Sequence, residues 1–110
     1  MATTSCCTTQ PEACCSLEID GSDQERLVRM FKALGNPLRL EILKYLVKNP
    51  GCITGEIVDM MPIAQATVSQ HLKVLREAGL IVGAVDGPAR CYCMDAENVA
   101  WFRAQVEANF

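Results

Sequence analysis

The residues most able to do chemistry in this 110-residue chain are its seven cysteines. They fall as Cys6-Cys7, Cys14-Cys15, a lone Cys52, and Cys91-x-Cys93. An odd number cannot pair completely within one chain, so a closed disulfide framework is excluded. The N-terminus has neither the basic region nor the apolar run of a secretory signal. A cytoplasmic setting is therefore expected, and with it reduced thiols. Thiolates are soft ligands that favour thiophilic metals. Burial explains two vicinal pairs on a polar stretch poorly, so metal binding is the better reading for them. Cys52 taken alone is equally well read as a small buried apolar residue. Cys91 and Cys93 alternate with Tyr92 on a predicted strand and so share one face. Packing is their simplest explanation, with a second thiolate site or a redox pair as alternatives.

Charge divides the chain that carries these thiols. The net charge is −3, but residues 1–25 hold five acidic residues and no Lys or Arg. The remainder carries all 10 basic residues against eight acidic ones, a balance of +2. An acidic, cysteine-rich arm over 1–23 is thus joined to a mildly basic domain over 24–110, and the arm reads as flexible. No apolar stretch approaches the roughly 20 residues that span a bilayer. No phosphate-binding loop, nucleophile elbow or zinc-protease motif is present, so no enzyme is expected.

The elements that must position the thiols follow from periodicity. From residue 24 the pattern is helical: Leu27, Phe31 and Leu34 share a face, and Gly35 is a stop signal. Asn36-Pro37 reads as an N-cap followed by proline at the first helical position. Leu38 to Lys48 has apolar residues on more than one face, which predicts a helix at the centre of the core. A short third helix is expected over about Ile53 to Met61, with Ile57 and Met60 inward. Gln65 to Ala78 makes a fourth, burying Val68, Leu72 and Leu75. Two short runs, Leu80 to Val85 and Arg90 to Met94, flank Asp86-Gly87-Pro88-Ala89 and read as a hairpin. Asp95 caps a last helix with Val99, Phe102 and Val106 on one face.

This order predicts a mainly α fold with a β-hairpin wing, a winged helix-turn-helix. While its apolar stripe is buried, the fourth helix offers Gln65, Thr67, Ser69, Gln70 and His71 outward near its N-terminus. Short donors and acceptors there suit base edges and phosphates of double-stranded DNA. Lys73 and Arg76 add charge, and Arg90 on the hairpin can reach the backbone or minor groove. The competing reading is a solvated helix face, with His71 as a hydrogen-bonded structural residue.

Two stretches carry a resemblance. Phe31-Lys-Ala-Leu-Gly-Asn-Pro-Leu-Arg-Leu-Glu-Ile-Leu, and Ala66-Thr-Val-Ser-Gln-His-Leu-Lys-Val-Leu-Arg-Glu-Ala-Gly-Leu-Ile, resemble the ArsR/SmtB family of metal-sensing repressors. The resemblance implies a homodimer that binds operator DNA when unloaded and releases it on binding an inducer ion. It also implies a dimer interface made by the two terminal helices. Two ligand sets of that family are missing here. The last helix contains neither His nor Cys, and the third-helix region reads Glu56-Ile-Val-Asp-Met-Met, without a thiol. The family's members with a vicinal N-terminal pair imply instead a site of Cys14, Cys15 and Cys52, the third ligand coming across the dimer. Three thiolates in a pyramid suit trivalent arsenic or antimony as inducer. Cys14-Cys15 is preferred to Cys6-Cys7 because the shorter loop costs less entropy to close. Three alternatives stand beside this reading. The ion could be cadmium or lead, recruiting Cys6 or Cys7. The protein could sequester soft metals without regulating transcription, or respond to oxidation through Cys91 and Cys93.

Overall fold

The structure is a computed structural model that describes residues 16–86 and 89–110. The arm cysteines Cys6, Cys7, Cys14 and Cys15 lie outside the described residues, as do residues 87 and 88 of the hairpin turn. Among the described residues, five helices and three strands follow one another: α1 (Gly21–Leu34), α2 (Pro37–Lys48), β1 (Cys52–Ile53), α3 (Thr54–Met60), α4 (Gln65–Glu77), β2 (Ile81–Asp86), β3 (Ala89–Met94) and α5 (Ala96–Asn109). The fold is mainly helical with an antiparallel hairpin, as the sequence predicts.

Helix α1 buries Leu27, Met30 and Ala33 and leaves Phe31 42% exposed. Its core stripe is therefore turned from the Leu27/Phe31/Leu34 face that the sequence suggests. Phe31 instead stands edge-on to Phe102 of α5, with ring centroids 5.2 Å apart. The junction with α2 is as read: Asn36 Oδ1 accepts from the N–H of Leu38 and of Arg39, and Pro37 opens the helix. These bonds satisfy N–H groups that have no partner within the helix. In α2 only Ile42 and Leu46 are fully buried, while Leu40 and Val47 face solvent. The helix lines the core on one side rather than forming its centre.

The sheet holds a strand that periodicity does not reveal. β1 is two residues long and pairs with β3, setting Cys52 opposite Tyr92 and Ile53 opposite Cys91. Strand order is β1-β3-β2. Gly51, at φ +81°, turns the chain into β1 and donates its N–H to Tyr92 O at 3.0 Å. α3 consequently starts at Thr54. It buries Ile57, and the apolar residue that closes its inner face is Met61, not the exposed Met60.

The main core joins Met30, Ile42, Leu46, Ile57, Val68, Leu72, Leu75, Leu80, Ile81 and Tyr92. α4 contributes the stripe expected of it, Val68, Leu72 and Leu75. It ends in a Schellman arrangement: Leu80 N–H donates to Leu75 O, and Gly79 N–H to Arg76 O, both at 3.0 Å. Gly79 takes φ +82°. Asp95 caps α5, its Oδ1 accepting from Asn98 N–H at 3.1 Å.

The chain before α1 is tied to the end of α5. Leu17 N–H donates to Asn109 O, Glu18 N–H to Asn109 Oδ1, and Ser16 Oγ–H to Ala108 O. Helix α1 itself begins at Gly21, ahead of the periodicity that first marks it at residue 24.

A Cβ at position 79 would lie 3.0 Å from Asn98 Nδ2, in a backbone region that costs L-residues roughly 1–2 kcal/mol. Gly79→Ala is therefore expected to destabilise the fold by about 1–2 kcal/mol, read as a lower urea midpoint with an unchanged slope.

Candidate nucleic-acid interface

The turn between α3 and α4 is short because α3 closes on itself. Met61 N–H donates back to Val58 O, and Ala64 then starts α4 in an extended conformation. Ala64 offers no side-chain cap, so no side chain occupies the first backbone N–H groups of α4. Around them the side chains of Gln65, Thr67, Ser69, Gln70 and Lys73 are all exposed. The structure thus brings five of the seven sequence-predicted contacts onto the open side of one helix, held from behind by its buried stripe. Arg90 is also exposed, but on β3 of the hairpin. On β2, Gly83 pairs with Tyr92, and a Cβ there would meet the Tyr92 ring at 3.0 Å and the Arg90 stem at 3.4 Å.

His71 differs from the others. It is half-buried, and its Nδ1 lies 3.4 Å from Nη1 of Arg39 on α2. Arg39 is itself anchored on α1: Nε donates to Ala33 O at 2.8 Å and Nη2 to Lys32 O at 3.2 Å. One guanidinium thereby satisfies carbonyls at the end of α1, where a cation is favoured by the helix dipole, and touches α4. Burial, and then the Arg39 charge, hold the His71 imidazole below its ordinary pKa.

The far end of α4 has a second junction. Asn98 Nδ2–H donates to Gly79 O at 3.0 Å and to Asp95 Oδ2 at 2.9 Å. Its Oδ1 accepts from Arg26 Nη2 on α1 at 2.7 Å. The Arg26 guanidinium also sits 3.8 Å over the Trp101 ring, a cation–π contact. Sequence reasoning missed both Arg39 and Asn98. Each works by bridging three segments, and no single-element pattern marks such a residue. The only available signal was their position directly after a cap, at Asn36-Pro37 and at Asp95.

The proposed thiol ligands are not brought together by the described residues. Cys14 and Cys15 lie outside them, and Cys52 is placed only by its backbone, in β1. Cys91 and Cys93 are half-buried on either side of the buried Tyr92, and neither is in a disulfide. Among the described residues, no three His, Cys, Asp or Glu side chains converge in a way that could hold a metal ion. None of the described helices is long and apolar enough to cross a membrane.

Residues 36–82, from the cap of α2 into β2, match the family model described as bacterial regulatory protein, arsR family. The chain is 37% identical over 75 residues to an uncharacterized HTH-type transcriptional regulator of Methanocaldococcus jannaschii, covering 68% of this chain and 84% of that one. It is similar to the homodimeric winged helix-turn-helix domain of a possible ArsR-family regulator of Mycobacterium bovis, with TM-score 0.66 and 28% identity over 81% of this chain and 86% of that one. A possible transcriptional regulator for arsenical resistance gives TM-score 0.65 and 28% identity, over 72% and 81% of the two chains.

The His71 environment has a consequence for stability. A lowered folded pKa means that the unfolded chain binds the proton more readily, so acid favours unfolding. The His71 contribution falls as pH drops below the ordinary value of 6.5, and the loss levels off below the folded pKa. His71→Gln is expected to flatten this part of the pH profile. Urea unfolding of both proteins at pH 7.5 and pH 5.5 measures it, and the wild type should lose more stability on acidification.

Proposed function

Because the chain belongs to the arsR family of bacterial regulatory proteins, whose members regulate transcription by binding DNA, we propose that it is a metalloid-responsive repressor. In this reading a homodimer binds operator DNA and releases it on binding trivalent arsenic or antimony. The observation that carries the DNA part is the outer side of α4: five exposed polar or basic side chains around uncapped N–H groups, held rigidly by a buried stripe. Gln65, Thr67, Ser69, Gln70 and His71 enter the major groove, Lys73 takes a phosphate, and Arg90 of the wing reaches the adjoining backbone or minor groove.

Dimerisation through α1 and α5 is supported by what those helices leave uncovered. Leu17, Val28, Phe31 and Phe110 are large apolar residues exposed in the single chain, and all lie on α1, α5 or their ends. The homodimeric neighbour from M. bovis is consistent with this. A two-fold dimer sets its recognition helices one turn of DNA apart, about 34–36 Å. An effector that alters this spacing lowers affinity, and by linkage DNA opposes the effector equally.

The effector reading rests on the donor set. Cys14, Cys15 and Cys52 supply three soft thiolates, the number a trivalent metalloid takes with its lone pair in the fourth direction. The anchoring of Ser16 on Ala108 O starts the arm at the end of α5, within the layer assigned to dimerisation. Closing the arm onto Cys52 of either subunit therefore links that layer to the start of the helix-turn-helix. The similarity to a possible regulator for arsenical resistance is in line with the reading.

Two measurements test it. Titrating arsenite into the protein bound to the DNA upstream of its gene should release wild type and the Cys6→Ser/Cys7→Ser double variant alike. Cys14→Ser, Cys15→Ser and Cys52→Ser should stay bound; release of Cys52→Ser at the wild-type arsenite level removes the assigned site, and a four-thiol stoichiometry that needs Cys6 or Cys7 reassigns the ion. Separately, Lys73→Ala should weaken binding to all sequences and reduce the slope of log affinity against log salt by about 1 per subunit.

A further inference from the structure

We infer that Arg39 is a positioning residue that fixes His71 as its Nε2–H tautomer, so that a neutral imidazole meets DNA as a hydrogen-bond donor. This deepens the proposed function, because it takes the outer side of α4 as the DNA face.

The geometry leaves little choice of proton position. A guanidinium has five N–H donors and no acceptor. Two of its nitrogens, Nε and Nη2, are committed to Ala33 O and Lys32 O at the end of α1. Those bonds fix the guanidinium plane, and the third nitrogen, Nη1, is turned onto His71 Nδ1 at 3.4 Å. Only an unprotonated Nδ1 can accept from it, so in the neutral ring the proton sits on Nε2. An imidazolium would instead set an N–H of one cation against an N–H of the other, and the burial and charge that hold the His71 pKa down agree with this. Arg39 is held in turn by its own N–H on the Asn36 cap, so the ring is oriented from both α1 and the start of α2.

The consequence is a defined recognition chemistry. An Nε2–H donor pairs with an acceptor: guanine O6 or N7, adenine N7, thymine O4, or a phosphate oxygen. Cytosine shows only its amine in the major groove, so it is excluded at a base that His71 reads. A basic side chain without the Arg39 contact would sample both tautomers and the cation, and would carry less information.

The first test uses the whole protein without DNA. Nitrogen-15 NMR of the histidine ring at pH 7.5 should show Nε2 protonated and Nδ1 bare; a protonated Nδ1 overturns the inference. Arg39→Met should release the bias and give a mixed tautomer population. Arg39→Lys, which keeps the charge and can still donate to an α1 carbonyl but lacks the planar fork that aims Nη1 at His71, serves the same purpose should the methionine variant fail to fold. An unchanged tautomer in a folded Arg39 variant overturns the role of Arg39.

The second test uses a duplex selected by the wild-type protein from a random pool. His71→Phe should bind it about 3- to 10-fold more weakly per subunit, the worth of a hydrogen bond. A 7-deazapurine or a neutral methylphosphonate at each position then tells a base acceptor from a phosphate, and loss of binding at one of them is expected for wild type but not for His71→Phe. Wild-type affinity in His71→Phe, with weakened binding in Lys73→Ala, overturns the donor role alone. Wild-type affinity in both variants overturns the α4 interface itself.

Discussion

The structure depends on burying one narrow stripe of α4. A helix of 13 residues is marginal on its own in water, and most of the surface of α4 is polar. Val68, Leu72 and Leu75 are therefore the source of its order, and the rest of the core is arranged around them. Met30 from α1, Ile42 and Leu46 from α2, Ile57 from α3, Leu80 just ahead of β2, and Ile81 and Tyr92 from the hairpin belong to the same cluster. Each such side chain contributes roughly 1.5–3 kcal/mol when fully buried, enough to hold the helix while its other side stays in water. The polar side is free for recognition because the apolar side already carries the stability.

Burial alone fixes neither the rotation of a helix nor its position along its axis. Two polar junctions do that here. Midway along α4, Arg39 joins the end of α1 to His71; at its end, Asn98 joins Gly79 to Asp95 and Arg26. Both reach α1, and the second also reaches α5. Helix α4 is thus connected to α1 and α5 by hydrogen bonds to half-buried groups, which are directional where hydrophobic contact is not.

What the sequence reveals follows from how local each cause is. The stripe of α4, the Asn36-Pro37 cap and the Asp95 cap are set by residues within a turn of one another, and all stand where periodicity and capping rules put them. β1 escapes the same rules because two residues have no period; it exists because β3 offers an edge. Met61 rather than Met60 is buried, and Leu40 and Val47 are not, because the inner face of a short helix is chosen by its neighbours. Arg39 and Asn98 were illegible for a related reason, since their roles are defined by three segments distant in sequence. The exposure of Gln65, Thr67, Ser69, Gln70 and Lys73 was readable because it follows from geometry on a helix with a known buried stripe. The cysteines are legible only as residue types, since Cys14, Cys15 and Cys52 lie far apart along the chain.

The bonds from residues 16–18 to the last residues of α5 make the N-terminal arm a tether of known origin. Consecutive Cα atoms are 3.80 Å apart, so Cys15 begins one step from Ser16, and Cys14 one step further. If those thiols capture an ion as proposed, each capture after the first is an intramolecular event, whose effective concentration depends on the length of chain between the ligands and not on the concentration of the protein. In that reading, where the chain is fastened counts as much as how strongly sulfur binds, and the fastening consists of three ordinary hydrogen bonds.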